Sequence, residues 1–223
     1  MRKKLLLEAL VKFFLGVLLV GLLVFWPAGT WAYRQGWLFL GILFIPMFGA
    51  GFVMLAKNPG LLRSRLDAKE KAKEQDTVVK LSGLMFLVGF IVAGLNYRFG
   101  WCVLPWGVSL GAAVAFLIAY LLYAEVLREN TWLSRTIEVQ ENQTVVDTGL
   151  YGIVRHPMYS VTLLLFLSMP LVLGSIQSFV IFLAYPLIIA RRIRHEEQFL
   201  EQELPGYREY KQKVKYRLIP FIW

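Results

Sequence analysis

The stretch from Met158 to Ala190, MYSVTLLLFLSMPLVLGSIQSFVIFLAYPLIIA, decides the fold. It carries no charged residue. A helix crosses the hydrocarbon core of a bilayer with ~20 residues, so this stretch is too long for one ordinary span and short for two. Gly174-Ser175 lies near its middle. The reading is a tight helical hairpin that enters the membrane and returns to the side it left. One long tilted helix is the alternative.

Four further apolar segments precede it: Ala9 to Trp26, ended by Pro27; Trp37 to Ala56, ended before Asn58-Pro59-Gly60; Leu81 to Leu95; and Val103 to Tyr123. The third is short and would need tilted neighbours or a locally thinner bilayer. The composition agrees, with 57% hydrophobic and 17% charged residues against ~25% charged in soluble domains. The expected fold is all-α: a polytopic transmembrane bundle of five to six segments, with a C-terminal hairpin and cytoplasmic tail forming a site. Residues 1–223 are read as a single integral membrane domain, with four segments in 1–124 and the hairpin and tail in 125–223. Arg2, Lys3 and Lys4 before an apolar run resemble a signal peptide. Glu8 and Lys12 interrupt that run and no small-residue cleavage site precedes Trp26-Pro27, so it reads as a retained first helix.

The net charge of +9 could suggest nucleic acid. Its placement argues for a membrane instead. Of the 24 Lys and Arg residues, all but Arg34 and Arg98 fall at the N-terminus, in the second and fourth connections, or in the tail. Basic loops mark the cytoplasmic side, so both termini are expected there, in a cell or inner membrane, beside anionic headgroups. Trp26, Trp31, Trp37, Trp101 and Trp106 fall at the opposite ends, as an interfacial aromatic belt does. The segment from Asp67 to Lys80 reads as a charged loop holding a short solvated helix. Cys102 is the one cysteine, which leaves no intramolecular disulfide or cysteine-based metal site. Pro46 and Pro186 are expected to interrupt helices.

Polar residues within spans are costly, so their positions carry information. The first four segments offer only Glu8, Lys12, Ser82 and Glu125, mostly near ends. Two clusters stand out in the last hundred residues. In Asp147-Thr-Gly-Leu-Tyr-Gly-Ile-Val-Arg-His-Pro-Met-Tyr159, Asp147-Thr148-Gly149 signals a turn and Pro157 suits the first turn of a helix. Arg155 and His156 then precede a helix N-terminus whose unpaired amides favour an anion. The plainer reading has Arg155 reaching lipid phosphate, His156 capping the helix and Tyr159 in the aromatic belt. The second cluster is Arg191-Arg-Ile-Arg-His-Glu-Glu197. On a helix Arg192 shares a face with Glu196, and Arg191 with His195. The plainer reading there is a basic flank with intrahelical ion pairs. A hairpin makes the two clusters neighbours, under a tail containing Tyr207 and Tyr210.

Gly149-x-Tyr151-x-x-Val-Arg155-His156-Pro157-x-Tyr159, then Arg192-x-x-x-Glu196-Glu197-x-x-Leu200, then Pro-Gly-Tyr207-x-x-Tyr210 together resemble the isoprenylcysteine carboxyl methyltransferase family. Related membrane phospholipid methyltransferases share parts of the pattern, which covers about residues 125–223. The resemblance implies S-adenosylmethionine as cofactor, bound without a Rossmann domain, and a lipid-like or prenylated acceptor entering from the bilayer. It implies a cofactor site lined by Tyr151, Arg155, His156, Pro157, Met158, Tyr159, Glu196 and Glu197, with Gln143, Thr144, Val145 and Val146 as a further lining segment. Arg192 falls where the family places an arginine on the reacting carboxylate. A membrane reductase using NADPH on isoprenoid or sterol-like substrates is the second reading, and a non-enzymatic membrane protein the third. His195-Glu196-Glu197 lacks the second histidine of a zinc-protease helix, and no metal is expected.

Overall fold

The computed structural model describes residues 2–66, 73–133 and 138–223. It contains helices α1 (Arg2–Ala28), α2 (Arg34–Lys57), α3 (Pro59–Leu66), α4 (Lys73–Phe99), α5 (Trp106–Glu129), α6 (Pro157–Val172), α7 (Ile176–Phe182), α8 (Ala184–Glu203) and α9 (Tyr207–Lys213), with a 3-10 turn at Gly149–Gly152. The expected all-α architecture is the one observed. Five stretches are long and apolar enough to cross a membrane: 2–28, 34–57, 77–99, 106–129 and 176–203, with 157–172 a shorter apolar helix. This is an integral membrane protein. Leu121, Leu187 and Ile45 are among many large apolar side chains left bare on its outer faces, which suits lipid as solvent.

The 158–190 stretch is a hairpin, as its central glycine suggested, and not one long helix. Leu173-Gly174-Ser175 makes the turn, with Gly174 at φ +70, a conformation that costs glycine little. Ser175 then caps α7 by accepting the amide of Ser178 at 3.2 Å. The turn is pinned from outside the hairpin. Tyr33 donates its hydroxyl to the carbonyl of Leu173 at 2.5 Å. The Asn96 amide donates to Cys102 O at 3.2 Å and Gly174 O at 3.4 Å, and Asn96 Oδ1 accepts from Cys102 N at 2.9 Å. Asn96 is only 1% exposed. Asn96 lies one residue beyond the expected third segment, Leu81 to Leu95, and is not among the polar residues singled out there.

Several boundaries differ from expectation for identifiable reasons. Pro27 does not end α1. The helix runs one residue further and stops at Gly29, at φ +67, whose amide bonds back to Phe25 as a C-terminal glycine does. The third apolar segment is not short. Its helix starts at Lys73 and the spanning part covers 23 residues from Thr77 to Phe99, ~34 Å at 1.5 Å per residue, so no thinning is required. Residues 73–80, expected in a charged loop holding a short solvated helix, are instead the start of that spanning helix; residues 67–72 of the same expectation lie outside the described residues, as does Arg135 of the charge pattern. Pro46 leaves α2 continuous, and Tyr120 donates to the carbonyl of Leu43 beside it at 2.8 Å. Pro186 sits in the first turn of α8. Its missing N–H cannot bond to Phe182, and α7 ends there.

The core joins both halves of the chain. Phe39, Phe116 and Phe182 are fully buried, and Phe86 meets Phe166 and Phe182 edge-on at 4.8 and 5.4 Å between ring centroids. α1 and α4 approach so closely that a Cβ at Gly94 would lie 2.5 Å from the carbonyl oxygen of Val24. α5 packs along α6, and α4 against α7 and α8. This arrangement brings the start of α4 alongside the two polar clusters.

Candidate active site

The hairpin sets the N-terminal end of α6 beside the polar half of α8. Pro157 takes the first helical position of α6, as expected, with His156 as the preceding residue. The histidine makes no side-chain cap. Its Nε2 lies 3.2 Å from Glu197 Oε1 and its Nδ1 3.7 Å from Glu196 Oε1. Its ring stacks on Tyr159 with centroids 5.7 Å apart.

The chain itself takes up the backbone donors on the approach to this helix. The amide of Arg155 donates to Tyr216 O and that of His156 to Arg217 O, both at 2.9 Å, and Ser160 Oγ donates to Leu218 O at 2.6 Å. The tail after α9 thus runs along the approach to α6 and takes up its donors.

Arg155 and Glu197 serve the same tie. Arg155 Nε donates to Glu197 Oε1 at 2.7 Å, while Nη1 donates to Val214 O at 2.7 Å and Lys215 O at 2.8 Å. Arg217 Nε donates to the other Glu197 oxygen at 2.9 Å. Glu197 is 2% exposed. Such a buried carboxylate persists because its donors replace water.

Glu196, one residue earlier, faces elsewhere. It accepts the hydroxyl of Tyr159, and that same oxygen accepts from Arg192 Nε at 2.8 Å. Arg192 and Glu196 do share a helix face, with Tyr159 of α6 inserted between them.

Two covers close the site. Gly149, at φ +53, lies against the Glu129 carboxylate, where a Cβ would come within 2.9 Å of it. Thr148 donates its hydroxyl to Glu129, which fixes the 147–152 turn on the end of α5. Tyr210 donates to Tyr151 O at 2.7 Å, and Leu204, Tyr207, Tyr210 and Val214 pack with Val139, Val145 and Leu200. Lys213 bonds Asp147 at 2.6 Å and holds that carboxyl below the usual aspartate range. Burial, followed by the nearby Glu197 and Glu196 carboxylates, pushes the Tyr207 hydroxyl well up, so it is a protonated donor at neutral pH.

Between these parts lies a cavity of about 530 Å³. Gln143, Thr144, Val145, Val146, Tyr151 and Arg155 line it, together with His156, Met158, Tyr159, Arg192 and Glu196. Pro157 and Glu197 stand behind this wall and do not line it. From the polar end an apolar arm runs between helices, walled by Val79, Ser82, Gly83 and Phe86 of α4, Phe166 of α6 and Ile189 of α8. The sequence reading gave α4 no part in the site. The adjacent Ser82-Gly83 pair in an apolar helix was the available signal.

Residues 102–205 match the family model described as phospholipid methyltransferase. The match begins earlier than the resemblance read from motifs, taking in α5, and stops before Tyr207. A Delta(14)-sterol reductase, TM7SF2 of Mus musculus, is 30% identical over 91 residues, 40% of this chain and 22% of that protein. The cobalt-zinc-cadmium resistance protein CzcN of Cupriavidus metallidurans is 32% identical over 84 residues, 37% of this chain and 39% of that protein. The chain therefore covers well under half the length of either relative. Residues 102–205, which build α5, the hairpin and most of the polar wall, are the part of the chain that is similar to phospholipid methyltransferases.

Proposed function

We propose that this protein is an S-adenosylmethionine-dependent methyltransferase acting at the membrane on a lipid-like acceptor. The observation that carries the reading is one cavity with a polar end at the hairpin mouth and an apolar arm between α4, α6 and α8. The family match over residues 102–205 supports it. The polar end suits a charged cofactor and the arm an acyl or isoprenoid chain.

The residues present fit such a cofactor. Tyr207 lines the cavity, is 4% exposed, and its hydroxyl has no hydrogen-bond partner among the described residues. A buried hydroxyl left so costs ~1–3 kcal/mol, which a bound acceptor atom would recover. Glu196 offers a carboxylate to a cationic group, and His156 and Tyr159 present stacked rings. When bound, S-adenosylmethionine supplies a methyl group carried on a sulfonium. Tyr151, His156, Met158, Tyr159, Glu196 and the segment 143–146 hold it. Arg192, steadied through Nε on Tyr159, orients the acceptor's anionic end. A carboxylate acceptor is already ionised at neutral pH and needs no base. An amine would need one, and His156 or Glu196 is placed for that, whereas Glu197 is committed to its three donors. The apolar arm excludes water and aligns the acceptor, so the protein contributes chiefly by positioning.

Both termini are read as cytoplasmic, in a cell or inner membrane, on the strength of the basic loops. The sterol reductase relative favours a second reading, in which the same cavity takes NADPH. Calorimetric titration of the detergent-purified protein separates them. Saturable binding of S-adenosylmethionine without binding of NADPH is the expected result. NADPH binding alone would move the assignment to a reductase.

A further inference from the structure

α1, α2 and α3 enclose a second cavity of about 290 Å³ that shares no lining residue with the first. Its walls are apolar apart from Lys12: Leu10 and Phe13 of α1, Phe48, Phe52 and Leu55 of α2, and Leu62 of α3. It follows α2 from Met47 to Leu55, ~12 Å of helix. Gly51 keeps it open, because a Cβ built there meets no atom within 4 Å. Water would find few partners against such walls, and a helix bundle at this depth is bathed in acyl chains.

The rim has the opposite character. Lys57 and Arg63, both exposed, follow the lining residues Leu55 and Leu62 by two positions and one in the chain. Lys3 and Lys4 are exposed three and two positions before Leu6, which also lines the cavity. Among the described residues the acid on this rim, Glu8, is held by Lys12 at 2.6 Å, and Lys12 also donates to Leu66 O at 2.8 Å, which clips α3 over the cavity. An apolar slot with a basic mouth at a membrane surface matches one lipid chemistry: a hydrocarbon chain with an anionic headgroup.

We infer that this groove holds one acyl chain of an anionic phospholipid, with the phosphate seated among Lys57, Arg63 and the Lys3-Lys4 turn. The lipid completes the packing of α3 on α1 and α2. The inference is independent of what the first cavity binds.

Native mass spectrometry of the protein in detergent with equimolar palmitoyl-oleoyl phosphatidylglycerol and phosphatidylcholine tests it. The expected result is one retained phosphatidylglycerol, preferred about fivefold or more, the ratio one basic side chain at a headgroup provides. Gly51→Phe fills the slot and should lower retention about tenfold, while Leu121→Phe, on an exposed face elsewhere, should leave it unchanged. Size-exclusion and helical circular dichroism check that Gly51→Phe folds. Lys57→Gln with Arg63→Gln, both on the surface, should lower the preference about fivefold or more without that risk. Equal retention of the two lipids by the wild type overturns the inference. So does undiminished retention in folded Gly51→Phe, or an unchanged preference in the double variant.

Discussion

Arg155 donates its Nε to Glu197 at 2.7 Å, and both side chains are almost wholly buried. The pair joins the approach to α6 with α8, and Arg155 passes the tie on to Val214 and Lys215. Glu197→Ala would leave that guanidinium buried beside carbonyls alone. Breaking one partner of such a pair costs ~3–5 kcal/mol, so the melting temperature should fall sharply and the tail should become open to protease. Glu197→Gln, which keeps the shape, should lose less. An unchanged melting curve in Glu197→Ala would mean that the tail is held by something else.

Tyr159→Phe removes the hydroxyl that stands between Arg192 and Glu196 and keeps the ring against His156. Hydrogen bonds to charged groups contribute ~1.5–3 kcal/mol each. Turnover should therefore fall roughly tenfold or more, and the melting temperature should fall as well. Wild-type turnover in this variant would remove Tyr159 from the working site.

How far the sequence foretold this depended on the kind of information involved. The hairpin was legible because chain length against bilayer thickness and the Gly174-Ser175 break are local properties. So was the meeting of His156 with Glu196 and Glu197, which follows from folding 158–190 back on itself. The division of labour between the two glutamates was not legible. Glu196 and Glu197 are adjacent and chemically alike, and only the path of the tail decides that one faces the cavity while the other is wrapped by Arg155 and Arg217. The tie between the approach to α6 and the tail was hidden for the same reason, since Tyr216 and Arg217 supply carbonyls from ~60 positions away. The part of α4 in the site was hidden because an apolar wall reads the same as a lipid-facing one.

Glu196→Ala and Arg192→Ala should separate cofactor from acceptor. The first removes a cavity-lining carboxylate and should weaken S-adenosylmethionine binding in calorimetry. The second should leave that affinity near wild type and abolish turnover. If Arg192→Ala turns over normally, the arginine is a flanking membrane charge and no more.

Gly83 lines the apolar arm, and a Cβ there meets no atom within 4 Å. Gly83→Leu should therefore occupy the arm without straining the bundle. Cofactor affinity and melting temperature should stay close to wild type while turnover on long-chain acceptors drops by at least tenfold. A short soluble acceptor, which does not need the arm, should be spared. Equal loss on both acceptors would show that the arm is not where the chain lies.

Cys102 gives a built-in reporter of orientation. It is exposed, lies in the short connection between α4 and α5, and is the only cysteine in the chain. Asn58, exposed at the other end of α2, borders the basic connection. With the basic ends cytoplasmic, a membrane-impermeant maleimide should label Cys102 in intact cells. In a Cys102→Ala background, Asn58→Cys should react only after the membrane is permeabilised. The reverse pattern would invert the protein in the membrane. The cavity mouth at α6 and α8 would then open away from the cytoplasm, where S-adenosylmethionine is made, and the methyltransferase reading would fall with the orientation.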